Sequence, residues 1–160
     1  MFANFYDWTI KNSHSMKFVS PHIVSILGTH YEYTGGAHGN TTYFPVNYWI
    51  RNDRVERIRL AQIFKAMAPW RDVVDRLIRQ DLAAKKAHWL KDVPKKKLLT
   101  TVFTFSERGI EFHYPPYMVG PYSQGSFHVF IPLAAIKRII RPSGPMTRGK
   151  TKKELEADGN

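Results

Sequence analysis

The sequence predicts an α+β fold, with a largely antiparallel sheet packed on one face by amphipathic helices in a single domain. Three observations carry that reading. Strand-like segments flank a helical block and do not alternate with helices, the order expected of antiparallel pairing and not of βαβ crossovers. Two pairs of these segments are joined by short polar turns suited to hairpins. The chain has 160 residues, 43% of them hydrophobic and 14% aromatic, enough to fill one core without staples.

Residues 1–21 read as an N-terminal lead-in, because the aromatic opening Phe2, Phe5, Tyr6, Trp8 resembles the middle of a fold more than its start. The domain itself is expected over residues 22–140. Residues 22–33 alternate as a strand, with Ile23, Leu27, Tyr31 and Tyr33 on one side and Val24, Ile26 and His30 on the other. Thr41 to Ile50 is β-branched and aromatic, and Pro45 points to an edge position or a bulge. Asn52-Asp53 supplies a turn, and Arg54 to Leu60 returns as the hairpin partner.

Leu60, Ile63, Phe64 and Met67 follow helical spacing over residues 60–67. Pro69 then opens a second helix, expected to reach residue 90. Trp70, Val73, Val74, Leu77, Ile78, Leu82 and Trp89 fall on its apolar stripe, a core-packing pattern. Thr100 to Phe105 and Ile110 to Tyr114 form a second hairpin across the four residues Ser106 to Gly109. Ser126 to Ile131 is another strand, and Leu133 to Ile140 a short helix behind Pro132. Residues 141–160 combine Pro142, Gly144, Pro145 and Gly149 with a lysine-rich end, the composition of a disordered basic tail.

Composition removes several classes of function. No cysteine is present, so disulfides, thiolate metal sites and a cysteine nucleophile are excluded. No apolar run approaches the roughly 18 residues of a membrane-spanning helix. Asp7, Lys11, Asn12 and His14 interrupt any signal-peptide core in the first 20 residues. The 24 Lys and Arg against 13 Asp and Glu leave a formal charge of +11, which favours anionic partners. His14, His22, His30 and His38 recur every eight residues, but no other residue repeats with them.

His30, His38, His113 and His128, with Glu32 and Glu111, are the candidates for metal ligation. None shows the H-x-x-x-H or H-E-x-x-H spacing that places two ligands on one helix face. No metal or cofactor is assigned. Glu32 and Glu111 are the one carboxylate pair on the sheet suited to glycosidase chemistry. No G-x-S-x-G elbow, dinucleotide fingerprint or P-loop occurs.

Two loops stand out. In Tyr33-Thr34-Gly35-Gly36-Ala37-His38-Gly39, three glycines surround one imidazole, a concentration kept where φ must be positive or backbones approach closely. Downstream, Pro115 to Gly125 holds Tyr117 and Tyr122 among three prolines. Proline lowers the cost of ordering such a loop, and tyrosine supplies rigid amphipathic contact area. Tyr33, His38, Tyr117, Tyr122 and Gln124 are the expected contact residues, with Gly35, Gly36 and Gly39 shaping the first loop.

These loops, together with Leu60-Ala61-Gln62-Ile63-Phe64 between them, resemble a bacterial domain family. It is the C-terminal domain of unknown function shared by the RsiV lysozyme-sensing anti-sigma factor and the PdaC peptidoglycan deacetylase. The resemblance spans roughly residues 22–140. It implies a non-enzymatic, extracytoplasmic binding module of the cell envelope, its targeting segment absent from this chain. The implied ligand is a cell-wall component, an anionic glycan or a lysozyme-like protein. The family supplies no catalytic residue, and +11 would repel a basic lysozyme unless an acidic patch faced it. Two alternatives stay open at this point. One is a peptidoglycan-directed hydrolase or deacetylase using His38 with Glu32 or Glu111. The other is non-specific nucleic-acid binding through the basic helix and tail.

Overall fold

The computed structural model describes residues 8–51, 54–99 and 102–147. Part of the expected lead-in is a strand, β1 (Thr9–Val19), which pairs antiparallel with β2 (Ile23–Tyr33) from Thr9↔Tyr33 to Val19↔Val24. The sequence hides β1 because nearly all of it is solvated on both faces. No apolar alternation is therefore required of it. β3 (Asn40–Arg51) and β4 (Arg54–Arg57) complete a four-stranded meander in the order β1-β2-β3-β4. β4 reaches back only to Tyr48, so Pro45 lies on a free edge of β3 and interrupts no ladder.

β5 (Val102–Ser106), β6 (Gly109–Tyr114) and β7 (Phe127–Pro132) form a second antiparallel sheet. The antiparallel α+β fold expected from the sequence holds, and among the described residues its strands divide between two sheets. The β5–β6 turn is tighter than expected, because Ser106 and Gly109 are themselves paired. A Cβ on Gly109 would lie 2.2 Å from the Ile131 carbonyl oxygen. Gly109→Ala is therefore expected to cost roughly 1–3 kcal/mol of overpacking, read as a lower midpoint in urea unfolding.

Helix α1 (Trp70–Ala84) opens behind Pro69, buries Trp70, Val74, Ile78 and Leu82, and packs against β7. It stops six residues short of the expected end at residue 90. Lys86 adopts a left-handed φ of 57°. The Lys86 N–H bonds to the Ala83 carbonyl and the Ala87 N–H to that of Leu82. That pair of bonds is a Schellman cap. Lysine occupies the position usually held by glycine, so no stop signal was visible. Residues 60–67 are not a helix either. Leu60–Ile63 is a single 3-10 turn, and Phe64 then bridges to Ile140. The described residues also form short helices α2 (Lys95–Leu99) and α3 (Leu133–Ile136) and 3-10 turns at Tyr122–Gln124 and Lys137–Ile139.

Residues 141–147, expected to be disordered, fold back on the domain. The Arg141 N–H bonds to the Ile63 carbonyl at 2.9 Å, and Gly144, Pro145 and Thr147 are buried. The rest of the expected tail, 148–160, lies outside the described residues.

The free edge of β5 abuts the inner face of the four-stranded sheet, where Ser25 and Asn47 are buried among Ile23, Leu27 and Trp49. The Phe105 N–H donates to Ser25 Oγ (2.9 Å) and the Ser25 hydroxyl to Asn47 Oδ1 (2.6 Å). Asn47 Nδ2 in turn donates to the Phe103 carbonyl (2.8 Å). Two short polar side chains thus satisfy the edge that a third sheet neighbour would otherwise take.

Candidate functional site

The β2–β3 connection is shaped as its glycines suggest. Gly35 and Gly36 have φ of 104° and 95°, and the Tyr33 hydroxyl donates to the Gly36 carbonyl at 3.0 Å. At Gly39 the requirement is space, since an added Cβ would sit 2.4 Å from the Tyr31 ring. The turn holds His38 with Nδ1 3.0 Å from the Gly39 carbonyl. A carbonyl only accepts, so Nδ1 carries the proton and Nε2 is left as an acceptor. The Tyr117 hydroxyl, 2.9 Å from Nε2, donates to it.

The two loops meet across 79 residues of sequence. The His38 ring stacks on Tyr122 at 3.5 Å between centroids and 8° between planes. Tyr117 lies 5.7 Å from Tyr122 and 5.9 Å from His38. Tyr117 holds a φ of 68°, a left-handed conformation that L side chains rarely adopt. Strain of this kind collects at functional positions. Although strained, the Tyr117 ring is 47% exposed.

A fourth ring joins them. Trp89 lies 6.3 Å from Tyr117 with its plane within 21°, and it is 38% exposed. Sequence periodicity placed Trp89 on the core stripe of a helix, and the Schellman cap at Lys86 takes it off. Its loop is held from two sides. Arg79 donates to the Leu90 and Val93 carbonyls (3.0 and 2.7 Å) and to Asp75 Oδ2 (3.0 Å). Gln124 accepts from the His88 N–H (3.1 Å) and donates to the Lys86 carbonyl (2.9 Å). Gln124, expected as a contact residue, therefore has its amide committed to positioning the Trp89 loop. Tyr33 similarly braces the glycine turn through its hydroxyl.

The remaining candidates lie elsewhere. His30 and Glu32 face each other at 3.7 Å near the end of β2. Glu111 lies 3.8 Å from Lys17 and 3.5 Å from His113. Glu32 stands on β2, opposite Ile10 of β1 and Asn40 of β3, whereas Glu111 belongs to β6 of the second sheet. The two carboxylates thus lie in different sheets, each with its own ionic partners. His113 Nδ1 lies 2.9 Å from His128 Nδ1, and Nε2 lies 2.8 Å from the Thr104 hydroxyl. Among the described residues no group of three or more His, Cys, Asp or Glu is arranged to hold a metal.

With the geometry in place, comparison with known proteins sets the context. Residues 61–134 match the model of the DUF3298 family. The family is described as a protein of unknown function, and the match takes in Trp89, Tyr117 and Tyr122 but not His38. No curated protein matches the chain. A DUF3298 structure from Bacteroides fragilis superposes with a TM-score of 0.69 at 21% identity, over 97% of this chain and 60% of its own. One from Pseudomonas aeruginosa gives 0.65 at 20% identity, over 89% of this chain and 66% of its own. At these identities the two structures share the fold, and this chain spans less than two thirds of either. No described helix is long and apolar enough to cross a membrane.

Proposed function

We propose that this DUF3298-containing chain is a non-enzymatic recognition module of the bacterial cell envelope, acting outside the cytoplasm. The platform of His38, Tyr117, Tyr122 and Trp89 is its ligand face. The observation that carries this reading is the His38–Tyr122 stack locked by the Tyr117 hydroxyl. Two loops distant in sequence are joined there by partly exposed rings, around one strained tyrosine. Exposed, rigid aromatic rings with little conformational entropy to lose are the usual anchors of binding surfaces. The resemblance to domains of RsiV and PdaC supports the envelope setting. The +11 charge favours an anionic glycan or acidic protein ligand.

The same geometry argues against catalysis at His38. Both ring nitrogens are engaged, and the His38 turn presents no carboxylate partner to either. The test is co-sedimentation with purified peptidoglycan sacculi, alongside titration with an acidic oligosaccharide and with lysozyme. Tyr117→Gly is the informative variant, because glycine accepts the left-handed backbone. Its thermal midpoint is expected to hold while affinity falls about tenfold or more, as for a hot-spot ring. Unchanged binding to every ligand by Tyr117→Gly and His38→Ala would overturn the assignment, as would turnover of cell-wall fragments abolished by His38→Ala.

A further inference from the structure

The two faces of the four-stranded sheet differ sharply. The inner face carries the buried residues Ile23, Ser25, Leu27, Asn47 and Trp49. On the outer face only Gly28 is buried, and what covers it is the ring of Phe44 on the neighbouring strand. Met16, Val19 and Val55 there are 62%, 57% and 63% exposed, and Phe44 and Tyr48 are also open to solvent. Val24, Ile26 and Val46 lie among them at facing register positions. Monomeric proteins rarely leave a contiguous apolar surface of this kind bare.

We propose that a second copy of the chain packs face to face on this surface, giving a homodimer. Charge selects the occupant. Each copy carries +11 overall, so two copies can approach only where their surfaces are nearly uncharged. The outward positions of β1 to β4 include two charged residues, Glu32 and Arg57. An acidic partner would find no cationic cluster on this face, whereas a self-complementary apolar pairing needs none.

Size agrees. Strands of 11, 11, 12 and 4 residues, spaced ~4.8 Å apart with a ~3.4 Å rise, give roughly 600 Å² in plan for the whole outer face, its polar end at Asn12, His30 and Thr42 included. Side-chain relief brings that towards the about 800 Å² per partner of a stable interface. The edges, by contrast, are guarded against pairing. Lys11 and a bulge between Met16 and Phe18 lie on β1, and β4 is short with Arg54 and Arg57. Association is therefore by the face and not by the edge.

Sedimentation velocity over a concentration series, at moderate salt, tests this on the full chain. The wild-type chain is expected to reach the mass of two copies. Tyr48→Glu combined with Val55→Glu is expected to loosen the dimer by about tenfold or more while leaving the far-ultraviolet circular dichroism unchanged. The chain contains no cysteine, so Met16→Cys carries a single spin label and provides a readout that does not depend on destabilising the face. Short label-to-label distances between copies support the proposal. A single-copy mass at every concentration overturns it, whether the face stays bare or is covered by another part of a longer protein. A dimer that survives the double substitution, or labels too distant to be measured across one interface, overturns it equally.

Discussion

Asn47→Ala is expected to destabilise the protein by about 2–5 kcal/mol, a large share of what a domain of this size has to lose. The side chain is buried on the inner face of the four-stranded sheet, where it accepts from Ser25 and donates to the Phe103 carbonyl. Truncation leaves the Ser25 hydroxyl and that carbonyl unpaired in a dry interior, at about 1–3 kcal/mol for each group. Ser25→Ala also strands two groups, the Phe105 N–H and Asn47 Oδ1, and is expected to cost a comparable amount. Because the two residues share one relay, Ser25→Ala with Asn47→Ala should cost less than the sum of the single changes. Equilibrium urea unfolding of the three variants measures this. Full additivity, or a loss for Asn47→Ala of only a few tenths of a kcal/mol, would show that the relay does not hold the sheets together.

The uneven legibility of this chain has physical causes. Strands with one buried face, such as β2 and β3, announce themselves by alternation, and α1 by its 3.6-residue stripe. β1 does not, because a strand solvated on both sides has no need of apolar residues in any pattern. The end of α1 was hidden because Lys86 takes a left-handed conformation that sequence signals assign to glycine. That one residue also explains why Trp89 was assigned to the core, although it stands beside Tyr117. The meeting of the His38 and Tyr122 loops was legible because glycine and proline clusters constrain backbone in ways that ordinary loops do not need. The division of labour among the site residues was not legible. Whether Gln124 faces a ligand or the Lys86 carbonyl depends on where a neighbouring loop passes, and no local pattern encodes that. The division of the strands between two sheets is illegible for a similar reason. Hairpin signals fix which strands pair, but not whether two hairpins join edge to edge or one abuts the face of the other.

Acidification below about pH 6.5 is expected to destabilise the fold through His113. Its imidazole is fully buried, with β5 supplying Thr104, β6 Glu111, β7 His128, β3 Tyr43 and β1 Lys17 around it. Burial, then the His128 ring, then Lys17 push its pKa down to about 3. The Glu111 carboxylate 3.5 Å away does not offset this, because Lys17 shares that carboxylate and Nε2 is already bonded to Thr104. Burial lowers His128 in the same direction. The sign follows from proton counting. Between about pH 6.5 and 3 the unfolded chain binds a proton at residue 113 that the folded chain refuses, so stability rises with pH across that window. The slope is up to about 1.4 kcal/mol per pH unit for one group. Stability is complete above the unfolded value and is lost steadily as pH falls towards the folded one. The interval from pH 6.5 to 5 is the informative one, because it lies just below the unfolded histidine value and well above the folded value of residue 113. His113→Gln keeps a neutral hydrogen-bonding side chain and should flatten the slope by up to one proton, even if its absolute stability is lower. Urea midpoints at several pH values in that interval give the slope directly. An identical slope in wild type and His113→Gln would mean that the buried imidazole is not what couples this fold to protons.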